Sequence, residues 1–185
     1  MLSGVDTGNY AIIIINTAMI TEELKALLAN NPMPDTLAPT DRRRVYRGST
    51  AVVNFLLTSK ETNNALSIID GTAMKGSEPP RHVHEYEDET FIIKEGEMDF
   101  YIGDQIIHAK AGDVVFAPRK VPHHFVVKSD YVKNMIVMTP GAFDQYFWYL
   151  SAPCGTEKTF VPQQQTSEEM KKWKDLVKLF GVDFL

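Results

Sequence analysis

Only one of the 185 residues is cysteine, Cys154, so no disulfide can close within the chain. A solitary thiol suits a reducing compartment, and a cytoplasmic protein is expected. The chain also lacks a basic field. Its formal charge is -5, with no Lys/Arg run and no helix-turn-helix pattern, which argues against a nucleic-acid partner. Long apolar runs are missing too. The stretch Tyr10 to Ile20 is too short to span a bilayer, and Asp6 stands where a secretory leader would carry positive charge, so no membrane partner is expected. Internal repeats and low-complexity segments are absent, and no flavin or nicotinamide motif is found.

What is present is an ordinary globular composition, 44% hydrophobic and 23% charged, in a length that suits one domain with terminal extensions. Leu24, Leu27 and Leu28 recur at helical spacing behind Glu22 and Glu23, predicting a short helix over 21–30 that Pro32 and Pro34 terminate. Residues 1–44 are thus read as an N-terminal extension ending in a proline-containing loop. Between 45 and 140 the pattern changes to short runs of Val, Ile, Phe and Tyr cut by Gly, Asp and Pro. Ten strands are predicted, near 45–47, 51–58, 65–73, 80–84, 89–94, 97–102, 105–110, 113–117, 123–128 and 132–139. Many short strands without intervening helices make an all-β sandwich or barrel.

Residues 141–185 return to helix, first around Phe143 to Leu150 and then from Thr166 to Phe180, where Thr166 and Glu169 have capping-box spacing and Gly181 is a suitable C-cap. Met170, Trp173, Val177 and Phe180 form an apolar stripe on the last helix. Such a stripe packs either on the outside of the strands or against a second subunit.

Chemistry concentrates in two places. In a strand, residues two apart share a face, so His82 and His84 direct their imidazoles into one space. The acidic turn that follows offers Glu85, Glu87, Asp88 and Glu89. Glu89 opens the next apolar strand on the same face as Phe91 and Ile93 and is the chosen ligand, whereas Glu85, Glu87 and Asp88 are expected to face water. Further on, Gly112 and Asp113 begin a strand that ends at Pro118, and after a bend His123 starts another, pointing inward with Phe125 while His124 points outward. His108 is read as a surface residue. Three imidazoles and one carboxylate form a shell suited to Fe, Mn, Ni, Co, Cu or Zn, one divalent ion in all, with positions left for exogenous ligands.

Residues 76–96 read Gly-x5-His-x-His-x4-Glu-x6-Gly and residues 112–123 read Gly-x5-Pro-x4-His. The two patterns resemble the paired motifs of the cupin superfamily. The first agrees at Gly76, His82, His84, Glu89 and Gly96, and the second at Gly112, Pro118 and His123. Lys120 departs from the family's usual glycine and Val127 from its frequent asparagine, implying that the turn before His123 tolerates a side chain. The 15 residues from Glu97 to Ala111 give the short spacing of small bacterial cupins. Pro140, Gly141, Phe143, Phe147 and Leu150 resemble the segment that follows the barrel in quercetin 2,3-dioxygenase-like members.

The resemblance implies a double-stranded β-helix, or jelly-roll, barrel with the N-terminal helix and C-terminal helices packed outside. Alternation sends Met98, Phe100 and Ile102 inward with Phe91 and Phe125, while Glu97, Asp99 and Tyr101 face out. Phe91, Met98, Phe100 and Phe125 are accordingly the candidate substrate pocket. The expected function is a metal-dependent dioxygenase for an aromatic or enolic small molecule, with dioxygen as second substrate and Glu89 as both ligand and proton acceptor. A small-molecule sensing protein without turnover, or a sugar isomerase, would use the same ligand set, although an isomerase pocket needs more inward Lys, Arg and Asn than Arg119 and Lys120. The Trp173 stripe and the family's habit make a homodimer the expected assembly.

Overall fold

A computed structural model of the chain describes residues 26, 29–46, 52–154 and 167–185. Of the helix predicted over 21–30, only Ala26, Ala29 and Asn30 are described, and all three are helical. Thr166, the expected helix cap, lies outside the described residues, as do the side chains of Glu169 and Met170.

The described residues run through twelve strands: β1 (Arg43–Tyr46), β2 (Val52–Leu57), β3 (Ser67–Met74), β4 (His82–His84), β5 (Asp88–Glu95), β6 (Glu97–Ile102), β7 (Gln105–Lys110), β8 (Val114–Ala117), β9 (His123–Val127), β10 (Tyr131–Thr139), β11 (Ser151–Pro153) and β12 (Val182–Phe184). Helix α1 (Asp144–Leu150) precedes β11, and helix α2 (Ser167–Leu179) precedes β12. One antiparallel sheet has the order β11-β1-β2-β3-β10-β5-β8 and the other β12-β4-β9-β6-β7. This two-sheet jelly roll agrees with the expected all-β class, and the ten predicted strands are all present. β11 and β12 are additions, each short and each held by pairing with a distant strand.

Strand alternation explains the larger part of the interior. Phe91 and Ile93 of β5, Met98, Phe100 and Ile102 of β6, Val115 and Ala117 of β8, Val127 of β9 and Val132 of β10 meet between the sheets. Asp99, on the face expected to point outward, is nevertheless buried, because His108 and Lys128 close over its carboxylate at 2.6 and 3.2 Å. His108 itself stays exposed.

A second cluster joins the two sheets to the helices. Val53, Phe55, Ile69 and Met138 from the seven-stranded sheet pack with Phe143, Tyr146, Trp148 and Tyr149 around α1 and with Leu176, Val177, Leu179 and Phe180 around α2. Of the stripe on α2, Val177 and Phe180 are buried inside the chain and Trp173 packs beside them. After α2, Gly181 takes φ +72, a left-handed conformation in which glycine has no Cβ to clash. That reversal lays β12 against β4, pairing Val182 with His84 and Phe184 with His82.

Candidate metal centre

The strand β4 carries two imidazoles on one face because His82 and His84 are two residues apart, and both are buried. His123 lies directly opposite His82 in the pairing of β4 with β9. Glu89, the second residue of β5, enters from the other sheet. One ligating atom from each of His82, His84, Glu89 and His123 lies within 4.8 Å of the others, and all four residues are buried. The four residues singled out by spacing are thus brought together from β4, β5 and β9.

The hydrogen bonds around the imidazoles point the same way. Nδ1 of His82 lies 2.8 Å from the carbonyl of Pro80, and Nδ1 of His123 lies 3.1 Å from the carbonyl of Val121. A carbonyl only accepts, so each Nδ1 donates its proton and leaves Nε2 as the atom with a lone pair. Nε2 of His123 then lies 3.0 Å from a carboxylate oxygen of Glu89, and Nε2 of His84 lies 3.5 Å from the same oxygen. Lone pairs converging on a carboxylate in a buried space are stable only around positive charge, either protons on the rings or a metal ion. Neither ring nitrogen of His84 has a hydrogen-bond partner. The donor set therefore fits one divalent transition metal.

The electrostatics reflect that convergence. Burial, assisted by the neighbouring His123 and His84, pulls the pKa of His82 down to about 4 against the pull of Glu89. His84 is also opposed by burial, but Glu89 and Glu87 outweigh it and raise its pKa. Burial disfavours the Glu89 charge as well, yet His84, His123 and His82 together hold its pKa at about 2, keeping it ionised at neutral pH.

The acidic turn divides by direction. Glu85 is exposed beside Lys120, as expected, whereas Asp88 is half-buried and held by Arg119 through a paired guanidinium contact. Glu87 is different: expected to face water, it is fully buried with a carboxylate oxygen 3.7 Å from Nδ1 of His84. Burial raises its pKa against the opposing pull of His84. The signal was available, since Glu87 and Glu89 are two apart and alternation extended across the turn puts both inward.

A cavity of about 320 Å³ opens in front of the four residues, with His82, His84, Glu89 and His123 in its wall. Phe91 and Phe125 line it, but Met98 and Phe100 do not, because they are sealed in the strand core behind those two rings, with Phe100 packed 4.9 Å from Phe91 and 6.0 Å from Phe125. The opposite wall comes from the helical extension: Phe143, Tyr146, Phe147, Leu150 and Val177, closed by Val182 and Phe184 of β12. The C-terminal helices were expected to pack outside the barrel; in the structure they also complete the pocket. Phe143 sets its ring edge-on to His84 at 4.6 Å, and Phe184 faces His82 at 6.1 Å. Asn134 and Thr72 are among the few polar residues of the wall, and none of its described residues is Lys or Arg.

Comparison with known proteins is consistent with these features. A family model described as "Cupin domain" matches residues 71–139. The quercetin 2,3-dioxygenase of Bacillus subtilis is 28% identical over 126 residues, which cover 68% of this chain and 37% of that protein, so the chain spans little more than a third of that relative's length. Among solved structures, a cupin described as RmlC-like from Shewanella frigidimarina has a TM-score of 0.49 at 21% identity, covering 60% of this chain and 93% of that one. A protein from Thermotoga maritima described as a predicted oxalate decarboxylase has a TM-score of 0.47 at 20% identity, covering 56% and 98%.

Proposed function

We propose, from the match of residues 71–139 to a cupin-domain model, that the chain is a metal-dependent dioxygenase acting on an aromatic or enolic small molecule of the flavonol or β-diketone class. The observation that carries this is the placement of an N/N/O/N cluster in the wall of an otherwise apolar, aromatic cavity. The cavity volume falls within the roughly 300–1,000 Å³ of small-molecule sites. The name of the Bacillus subtilis relative supports the same class.

His82, His84, His123 and Glu89 would hold one ion of Fe, Mn, Ni, Co, Cu or Zn. When bound, the ion supplies a Lewis-acid contact for the substrate's oxygens and a route for electrons to dioxygen. The chain's own residues do the rest. Phe91, Phe125, Phe143 and Phe147 seat a flat ring and exclude water from the charged wall. Glu89 accepts the proton of the substrate's enolic hydroxyl as the ring docks. A sugar isomerase is disfavoured by the apolar wall.

The test is oxygen uptake by protein loaded with one metal at a time, against a panel of flavonols and β-diketones. Uptake that needs both metal and substrate is expected, and it should vanish in His82→Ala and His123→Ala, whose metal affinity should fall at least about 100-fold. If metal-saturated protein binds a flavonol without consuming oxygen, the chain is a binding protein. If both alanine variants keep the parent's metal content, the site itself is misassigned.

A further inference from the structure

We propose that Glu87 is the positioning residue for His84, a buried carboxylate that accepts a hydrogen bond from Nδ1–H of that imidazole and so turns its Nε2 toward the metal. This rests on the metal centre proposed above and assigns to it a residue at one of the motif's unspecified positions.

Each imidazole of the cluster must be fixed in one tautomer and one orientation before its Nε2 can serve as a ligand. For His82 and His123 the backbone does this, through the carbonyls of Pro80 and Val121, each two residues upstream. Those carbonyls precede β4 and β9, where the chain is bent and a carbonyl can curl back onto the ring. His84 has no such option. It ends β4, so its upstream neighbours are in extended backbone, whose carbonyls point sideways toward adjacent strands rather than at side chains of their own strand. A side chain must supply the acceptor instead, and Glu87 is the group in place, with Oε2 3.7 Å from Nδ1.

The surroundings of Glu87 make little sense without this role. Its side chain is 0% exposed, and neither carboxylate oxygen has a hydrogen-bond partner, while both ring nitrogens of His84 are equally unpartnered. An unpaired buried carboxylate is costly to the fold, and a small rotation of either side chain brings the two groups into hydrogen-bond contact. The pairing makes the three imidazoles unequal: two are oriented by backbone carbonyls, whereas His84 faces a side-chain carboxyl oxygen.

The test uses Co²⁺ as the probe on the full chain, comparing the parent with Glu87→Gln and Glu87→Leu. Three quantities are read: the Co²⁺ dissociation constant by chelator competition, the visible absorption of the bound Co²⁺, and the melting temperature of the metal-free protein. Glu87→Leu should bind Co²⁺ about 10-fold to 100-fold more weakly with shifted absorption bands. Glu87→Gln, which keeps an acceptor oxygen but no charge, should fall between that variant and the parent. Unchanged Co²⁺ affinity and absorption in both variants overturns the assignment, and so does a lowered melting temperature with unchanged affinity, the mark of a merely structural residue. Near-isosteric Glu87→Gln keeps the question decidable if Glu87→Leu does not fold. Should the parent itself take up no Co²⁺, the metal centre falls and Glu87 with it, whereas a parent that binds beside indifferent variants sinks only the role of Glu87.

Discussion

The two hydrophobic clusters are built on different terms. The one between the sheets consists of strand residues alone, with Phe100 and Val127 fully buried and Met98 and Ile93 at 1% exposure, so that end of the jelly roll is filled. The other receives side chains from α1, α2 and β12, and it stops short of filling its space, leaving the cavity in front of the four metal-site residues. Strands alone close one end; helices delivered from outside the jelly roll wall the other. A fold that must be stable and must also keep an open cavity divides the two demands between its ends.

Truncating a ring at each end should expose this difference. Phe100→Ala leaves a void that close-packed neighbours cannot fill, and a loss of about 3–5 kcal/mol is expected in denaturant unfolding, with the folded fraction still binding metal. Phe147→Ala removes a partly buried ring from the cavity wall, where space already exists, so the expected loss is only about 1–2 kcal/mol. Flavonol affinity, followed by fluorescence quenching, should instead drop roughly 10-fold. Equal stability losses at the two positions would show that the ends are not distinct.

The comparison also explains what could be read from the sequence. Alternation identified Phe91, Phe125, Met98 and Phe100 as inward, but inwardness is the same signal at both ends. Only the position of the helices separates wall from core, and Met98 and Phe100 fall on the wrong side of that line for a pocket. The stripe on α2 was visible for a related reason: periodicity says which face is buried and not against what. His82, His84, Glu89 and His123 were legible because strand geometry demands their spacing locally. β11 and β12 were not, since three residues carry no periodicity and their pairing with β1 and β4 is set by the helices before them. Glu87 was missed because a turn rich in carboxylates reads as solvated, although its offset of two from Glu89 carried the contrary sign.

How firmly α1 is held at the open end should show in the pH dependence of stability. Burial raises the pKa of Asp144, in the first turn of α1, from 3.8 to about 7, against the hydrogen bonds from Ser59 and with Glu61 adding repulsion. Its Oδ2 accepts the backbone N–H of Ser59 at 2.7 Å, tying the helix to the loop after β2. A carboxyl with a raised folded pKa keeps its proton in the folded state where the unfolded chain has released it. Stability therefore falls as pH rises from about 4 to about 7 and levels off above, by up to roughly 4 kcal/mol. Asp144→Asn retains an acceptor for Ser59 and should remove that slope. Between pH 5 and 8, at matched metal content, the parent's melting temperature should fall relative to the variant's; parallel curves would place the titration elsewhere.

The smallest effect belongs to the turn that leads into β9. Lys120 adopts φ +64, the left-handed region, where a side chain costs about 1 kcal/mol or more, and its backbone N–H donates to the carbonyl of His84 at 2.7 Å. The turn is therefore pinned to the strand that presents the imidazoles, and the lysine is held in a conformation that glycine would enter freely. Lys120→Gly keeps the N–H and relieves the clash, while the greater freedom of glycine in the unfolded chain returns part of the gain. The contact of Lys120 with Glu85 is solvent-exposed and its loss counts for little. The expected net effect is a stabilisation of about 0.5–1 kcal/mol, seen as a melting temperature higher by about 1–4 °C. Metal affinity should not change, because the hydrogen bond that registers the turn against β4 survives. A variant that melted lower would mean that the Lys120 side chain, and not its backbone, braces the open end of the jelly roll.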